Sequence, residues 1–405
     1  MRFLHVIPSV DRESGGPIEA LRQIGMSHQK YGHVIEVACV DAQDSPFLHD
    51  LPFPIHALGP GRTSYAYSAK LTNWLRRHRA EFDAVIVHGV WQFPTDAVRA
   101  ALSGHVPYFV YTHGMLDPWF NQRYLFKHIK KTLFWHARLR RDLDEATGVI
   151  FTTEEEMERS ICSFYPFHWK GIVAPLGIDD PPGDVQAQAI ALDNRFPEWK
   201  EDRFLLFFGR IHPKKGCDLL LHAFSRIASE FPDLHLVMAG PGNAAYLASL
   251  QRIVNASGLA NRVKWTGMIS GPAKWGLLRA AEAFVLPSHQ ENFGIAAVEV
   301  MAVNTPVLIS DKVQIWREVL RSGAGMVEPD SLEGTERLLR RWLAEDVPGQ
   351  ARFRKAAGAC YRARFTAEQA SRILLNGLMA RLRSSRSGLD ALEPFSDGGK
   401  WVSSP

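Results

Sequence analysis

Two short stretches in the second half of the chain combine residue types suited to an anionic, hydroxyl-bearing ligand. In Phe207-Phe208-Gly209-Arg210-Ile211-His212-Pro213-Lys214-Lys215-Gly216 an apolar run ends at a glycine, an arginine follows at once, and Lys215 comes five residues after Arg210. Arginine offers a two-pronged donor and lysine a point charge, so together at a strand end they suit a diphosphate. The second stretch, Ser288-His289-Gln290-Glu291-Asn292-Phe293-Gly294-Ile295-Ala296-Ala297-Val298-Glu299, places Glu291 just ahead of an apparent helix start and Glu299 in its second turn. At about 1.5 Å rise per residue, about 10 Å of helix axis separates their levels, so a ligand using both is long. A nucleoside-diphosphate sugar has that reach. Its sugar hydroxyls meet Glu291, its ribose hydroxyls meet Glu299, and its phosphates meet the free N–H groups around Asn292, Phe293 and Gly294. Taken singly, each feature also has a plainer reading: two solvated cations, a glutamate favouring a helix dipole, a surface glutamate.

The first half offers three matching pieces. Ser14-Gly15-Gly16-Pro17 follows the first strand-like run, so that backbone at Gly15 and Gly16 can approach an acceptor or the donor phosphates. Tyr111-Thr112-His113-Gly114-Met115-Leu116-Asp117-Pro118-Trp119 begins at another strand end and presents His113. His88-Gly89-Val90-Trp91-Gln92 ends a third, which places His88 and Trp91 on an acceptor cleft.

Something must hold these loops together. Strand-like runs at Phe3–Ile7, Val34–Val40, Ala84–His88, Tyr108–Thr112 and Val149–Thr152 alternate with helical segments such as Ile18–Lys30, Ser68–Arg79 and Thr95–Leu102. That is the βαβ pattern of a covered parallel sheet. A proline-, glycine- and aspartate-rich stretch follows from Pro175, and the alternation then restarts at Phe204–Phe208, Leu234–Ala239, Arg262–Trp265, Ala283–Leu286 and Pro306–Ile309. Beyond Asp330 only helical periodicity remains. Two doubly wound domains joined by a linker put a cleft between the carboxyl ends of their sheets, where ligands of such folds bind.

One motif competes. Gly240-Pro241-Gly242-Asn243-Ala244-Ala245 fits the dinucleotide fingerprint, which would make the chain an NAD-dependent oxidoreductase or epimerase. That fingerprint wants an acid at the end of the next strand, where this chain has Thr266-Gly267-Met268-Ile269, and it belongs at the first βα turn of a domain. A hinged solute-binding protein shares the outline but needs an export signal, which MRFLHVIPSVDRESGG does not resemble.

The joint pattern G-R-x4-K-G then E-x7-E resembles the retaining glycosyltransferases of the GT-B fold, in glycosyltransferase group 1 or family 4. The resemblance covers nearly the whole chain up to about Arg383. It implies two Rossmann-like α/β domains: an acceptor domain at 1–175, a linker at 176–200, and a nucleotide-sugar domain at 201–365. A helix at 366–383 crosses back to the first domain, and a flexible tail follows at 384–405. It also implies that Arg210 and Lys215 hold the donor diphosphate, that Glu291 contacts the transferred sugar and Glu299 the ribose, and that Gly240, Met268 and Ile269 border the nucleotide pocket. His113 then lies beside acceptor and sugar; neither a metal nor a separate cofactor takes part. The segment His113-Gly114-Met115-Leu116-Asp117-Pro118-Trp119 is similar to one in bacterial polysaccharide-assembly members, which implies exopolysaccharide, capsule or O-antigen work on a saccharide carried by polyprenyl diphosphate.

Composition agrees with an ordinary globular chain: 405 residues, 46% hydrophobic and 22% charged, enough for two or three cores. Cys39, Cys162, Cys217 and Cys360 are far apart and form no C-x-x-C, which predicts neither a zinc knuckle nor a redox pair. No apolar run reaches the roughly 18 residues of a membrane span, so a cytoplasmic chain is expected. The net charge of +4 is uneven, for residues 119–141 hold seven cations and no acid and leave the remainder at −3. Six aromatics, Trp119, Phe120, Tyr124, Phe126, Phe134 and Trp135, are interleaved with those cations. This is the makeup of a segment that meets anionic lipid headgroups, or equally of a helix with one core face and one basic face. No motif supports nucleic-acid binding.

Overall fold

The computed structural model describes residues 1–11, 16–118, 125–165, 170–199 and 202–387. Two all-parallel sheets organise it. The first has seven strands in the order β3-β2-β1-β4-β5-β6-β7: β1 (Arg2–Ile7), β2 (Val34–Cys39), β3 (Ile55–Ala57), β4 (Ala84–His88), β5 (Tyr108–Tyr111), β6 (Gly148–Phe151) and β7 (Gly171–Val173). The second runs β10-β9-β8-β11-β12-β13, with β8 (Arg203–Phe208), β9 (Leu234–Ala239), β10 (Val263–Gly267), β11 (Ala283–Leu286), β12 (Val307–Ser310) and β13 (Gly325–Glu328). Central strands such as AVIVH, YFVY, AFVL and VLIS are buried along their whole length, as helices on both faces of a parallel sheet require. In both sheets the order reverses beside the first strand, β1 or β8, and that is where strand-end loops diverge to leave room for a ligand.

All ten runs expected as strands are strands, to within two residues at either end. The three that periodicity missed, β3, β7 and β13, all lie at sheet edges. IHA, GIV and GMVE are short and only partly buried, so no long apolar run marks them.

The stretch at 176–200 is no bare connector. It contains the helix Val185–Arg195, packed so closely on the helix Gly271–Ala280 that a Cβ at Gly276 would strike the Gln188 carbonyl. The final helix, Ala367–Ser387, returns to the first domain. Its Leu374, Leu378 and Leu382 share one core with Phe3, Ile7 and Ile86, and Gly377 lets it lie against Ile172. The two strands of chain that pass between the domains are tied together, Ile178 N–H to the Phe365 carbonyl at 3.0 Å and Ala367 N–H to the Ile178 carbonyl at 2.9 Å.

Candidate active site

In the second domain the cations and acids of the two sequence motifs converge at the carboxyl end of β8. Gly209 ends the strand with φ 140°, Arg210 is exposed, and the short turn Pro213–Lys215 brings Lys215 back beneath it. Lys215 Nζ pairs with Glu291 Oε2. Burial pushes the Lys215 ammonium down to about 8, and the neighbouring cations Lys214 and Arg210 add to the shift. A positively charged cluster is thus held partly dry and ready for an anion. Two helices begin beside it, Cys217–Ile227 after Gly216 (φ 64°) and Ile295–Ala302 after Gly294 (φ 80°), and neither has a side-chain cap for the N–H groups of its first residues.

Glu291 does not stand on helical geometry. Its N–H donates to the Lys312 carbonyl at 3.0 Å, its carbonyl accepts from Gln314 N–H at 3.2 Å, and the left-handed Gly294 separates it from the helix. The helical rise that set Glu291 about 10 Å from the level of Glu299 therefore does not hold over residues 291–294. Glu299 is in the second turn as expected and accepts from Lys274 Nζ at 2.7 Å, with that ammonium 5.4 Å from the Phe208 ring centroid. Asn292 reaches across to the first domain and donates to Thr152 Oγ1 at 3.3 Å, while the Phe293 ring is buried edge-on to Phe365. Met268 is exposed at the turn after β10, whereas Ile269 is buried, so only its backbone can line a pocket.

The glycines of the dinucleotide-like motif have a local explanation. A Cβ at Gly240 would collide with the Gly209 carbonyl, and Gly240 N–H donates to the Gly267 carbonyl at 2.9 Å, so the turns after β8, β9 and β10 are stacked tightly. Asn243 Oδ1 caps the following helix by accepting from Ala245 N–H at 2.9 Å, which occupies the amide groups that a pyrophosphate would need. The oxidoreductase alternative has no site here.

Facing this cluster, the first domain presents the loop after β5. His113 is left-handed (φ 49°), a rare conformation for a residue with a side chain, and Gly114 follows at φ 75°. A Cβ at Gly114 would collide with the Asn292 carboxamide, so here the domains touch. Glu156, buried in the helix Glu154–Ile161, clamps both sides of His113: its carboxylate accepts from Thr112 Oγ1 at 2.5 Å and Gly114 N–H at 2.7 Å, and from Thr152 N–H and Oγ1. Burial raises the Glu156 pKa, and these donors work against the rise.

Residues 191–359 match the family described as "Glycosyl transferases group 1", and residues 15–177 match "Glycosyl transferase 4-like domain". The chain belongs to the group 1, family 4-like glycosyltransferases. Among curated relatives, the D-inositol 3-phosphate glycosyltransferase of Mycolicibacterium gilvum is 33% identical over 174 residues, 41% of this chain and 37% of that one. The phosphatidyl-myo-inositol mannosyltransferase of Mycobacterium tuberculosis is 34% identical over 151 residues, 37% of each chain. This glycosyltransferase thus matches well under half the length of these relatives. The fold extends further: Anabaena HepE in complex with UDP and glucose superposes with a TM-score of 0.69 at 17% identity, covering 94% of this chain and 100% of that one. A glycosyltransferase of Rickettsia africae superposes with a TM-score of 0.72 at 13% identity, covering 94% and 98%. GT-B architecture with its returning helix is therefore the fold of this transferase.

Other expected site residues of the transferase are placed differently from one another. Gly16 opens the helix Gly16–Lys30 and is exposed with open space where a Cβ would stand; Gly15 lies outside the described residues. His88 does not line the cleft: it is 2% exposed and lies behind His113, with both ring nitrogens bonded to other histidines. Trp91 packs beneath the basic helix, where its indole donates to the Met115 carbonyl at 2.9 Å and props the His113 loop from below. The chain has one D-x-D triplet, Asp142-Leu143-Asp144, and its acids are engaged with Arg99 (2.7 Å) and Arg140 (3.3 Å). Among the described residues no group of three or more His, Cys, Asp or Glu is placed to hold a metal ion, and no helix is long and apolar enough to cross a membrane.

Spacing alone left Glu156, Asp117, Gln290 and Gln314 unmarked. Only Glu156 carried a signal, the Thr153-x-x-Glu156 pattern of a helix start, which the Thr153 cap to Glu156 N–H at 2.9 Å fulfils.

Proposed function

We propose that this glycosyltransferase moves a hexose from a UDP- or GDP-sugar to a hydroxyl of a lipid-linked saccharide with retention of configuration and without a metal. The observation that carries this reading is the paired Lys215 and Glu291, with Arg210 exposed above them, set opposite His113 across the domain gap. On this reading Arg210 and Lys215 take the diphosphate and stabilise its growing charge, Glu291 exchanges its lysine for a sugar hydroxyl, and Glu299 exchanges Lys274 for the ribose. The anomeric C–O bond to the diphosphate breaks, the acceptor oxygen bonds the anomeric carbon on the same face, and the hydroxyl proton passes to a diphosphate oxygen. HepE, which holds UDP and glucose in the same fold, supports a uridine donor. The phosphatidyl-myo-inositol mannosyltransferases support an acceptor at a lipid surface, consistent with exopolysaccharide, capsule or O-antigen assembly on polyprenyl diphosphate.

The basic strip at 119–141 supports a peripheral position on the cytoplasmic face of the membrane. Its helix Leu125–Phe134 exposes Ile129 (52%) and Leu133 (68%), with Lys130 exposed beside them. Trp135 and Leu139 on the next turn are core residues, and Arg138, Arg140 and Arg141 pair with Asp96, Asp144 and Glu145. The strip thus has both a core face and an apolar-basic outer face. Trp119, Phe120, Arg123 and Tyr124 lie outside the described residues. Incubation with a panel of UDP- and GDP-sugars, scoring slow donor hydrolysis, tests the donor assignment; no turnover of any of them rejects it.

A further inference from the structure

Three imidazoles form a head-to-tail chain from the interior of the first domain to the cleft. His5 Nδ1 lies 2.9 Å from His88 Nε2, and His88 Nδ1 lies 2.9 Å from His113 Nε2. The rings are stacked, with centroids 5.2 and 5.1 Å apart, and the buried Tyr111 ring stacks on His113 at 4.1 Å. Strand pairing dictates the arrangement, because β1 and β4 are neighbours and β4 adjoins β5, at whose end His113 sits. His5 and His88 are buried, whereas His113 is partly exposed. Burial pushes His5 and His113 down to about 3 and His88 well below the ordinary imidazole range, so all three rings are neutral at physiological pH.

Neutrality and geometry together restrict the protons. A neutral imidazole carries one ring proton, and each bond between two ring nitrogens contains one. Three protons therefore serve two bonds and one chain end, and every ring must adopt the same tautomer. The end proton sits either on His5 Nε2 or on His113 Nδ1. His5 Nε2 is buried with no partner among the described residues, and an N–H left there costs about 1–3 kcal/mol. Among buried backbone groups, orphaned N–H are rarer than under-satisfied acceptors, and the same preference applied to the ring favours a bare Nε2 at His5. We propose that the end proton resides on His113 Nδ1, so that His5 and His88, which touch no substrate, hold His113 as a hydrogen-bond donor toward the cleft.

For the sugar-transfer reading, on which this consequence rests, the chain decides which group is the base. A His113 whose open nitrogen already bears a proton cannot take one from the acceptor hydroxyl; it can donate to an oxygen of the transferred sugar. The hydroxyl proton then leaves with the departing diphosphate. His5 and His88 are positioning residues in this scheme, and His113 is the group that meets the ligand.

The test is nitrogen NMR on the full chain with 15N-labelled histidine and no substrate, so its outcome is independent of whether sugar transfer is ever seen. His113→Gln assigns the His113 signals. The expected result is His113 protonated at Nδ1 and bare at Nε2, with His5 and His88 in the same tautomer. His113 protonated at Nε2, or exchanging between tautomers, overturns the proposal on the wild-type spectrum alone. In His88→Leu nothing donates to His113 Nε2, so the His113 signals should move to a tautomer mixture, and kcat should fall more than donor KM rises. An unchanged His113 tautomer in that variant would remove the chain's role.

Discussion

Gln314 Nε2 lies 2.8 Å from Asp117 Oδ2, so a side chain of the second domain donates to a buried carboxylate of the first. Gln290 Nε2 donates to the same oxygen at 3.2 Å, and Arg159 stands 4.0 Å from the other. Asp117 is therefore a latch that favours domain closure directly beside His113. Asp117→Ala leaves two buried amides without their acceptor, at a cost of about 1–3 kcal/mol to the closed arrangement. Small-angle X-ray scattering should show a larger average radius of gyration and donor KM should rise; an unchanged scattering curve would refute the latch.

Arg210 and Lys215 bear on the departing diphosphate in the proposed reaction. Arg210→Ala and Lys215→Ala should each lower kcat more than tenfold, which corresponds to at least about 1.4 kcal/mol of lost transition-state stabilisation. Near-normal rates in both would sink that role. Glu291→Ala should damage sugar transfer more than UDP or GDP binding by calorimetry, and equal losses would speak against a sugar contact.

Glu156 supports His113 without reaching the cleft. In Glu156→Gln at least one of its buried donors faces an amide N–H, which should cost about 1–3 kcal/mol in urea unfolding and lower turnover together. Ser331→Ala removes a helix cap unconnected to Glu156, the bond to Gly334 N–H at 3.0 Å, at about 1 kcal/mol. Its turnover should stay normal. If the two variants lose activity alike, the Glu156 effect is one of general stability.

Buried histidines make the fold acid-sensitive. His5 and His113 are held at about 3 and His28 at about 4 by burial, below the roughly 6.5 of the unfolded chain. Folded values below unfolded ones mean that the unfolded chain binds more protons, so stability is fully present above about pH 6.5 and is lost as pH falls toward 4. Each ring contributes about 1.4 kcal/mol per pH unit in that window. Urea midpoints at pH 7.5 and 5.5 should therefore differ clearly, and His28→Leu should reduce the difference by one ring's share. Equal midpoints in the wild-type protein would contradict the neutral-histidine assignment.

The outer face of the basic helix should bind anionic vesicles at low salt and release them as ionic strength rises. Leu133→Glu combined with Lys130→Glu should abolish retention while leaving the thermal midpoint nearly unchanged, since Leu133 and Lys130 are exposed. Vesicles that fail to retain the wild-type chain would end the membrane reading.

How much of this was legible in the sequence follows from how each feature is encoded. AVIVH or VLIS must be apolar throughout to sit between two helical layers, so the central strands announce themselves, whereas the edge strand IHA is only half covered and does not. Arg210 and Lys215 are legible because one turn carries both, and Glu291 because Glu299 follows at fixed spacing. His5, Glu156 and Asp117 acquire meaning from partners brought in by strand order or domain closure: His88 beside His5, Thr112 beside Glu156, Gln314 beside Asp117. No local periodicity encodes such pairs. His88 misled for the same reason, since a strand-end histidine faces the cleft only if no other ring stands in front of it.

The returning helix Ala367–Ser387 has a consequence for how the chain is made. Leu374, Leu378 and Leu382 complete the core around Phe3, Ile7 and Ile172, yet they are translated after the whole of the second domain. The half that leaves the ribosome first is thus the last to be finished, and in the interval its apolar groove lies open to water and to chaperones. A nascent chain stalled just after residue 365 should be cut by protease within β1–β7 and spared in β8–β13; equal resistance of the two halves would show that the groove closes without the helix. In topological terms the second domain is a guest inserted into the first, and the chain cannot have a finished first domain without having already built the second beside it.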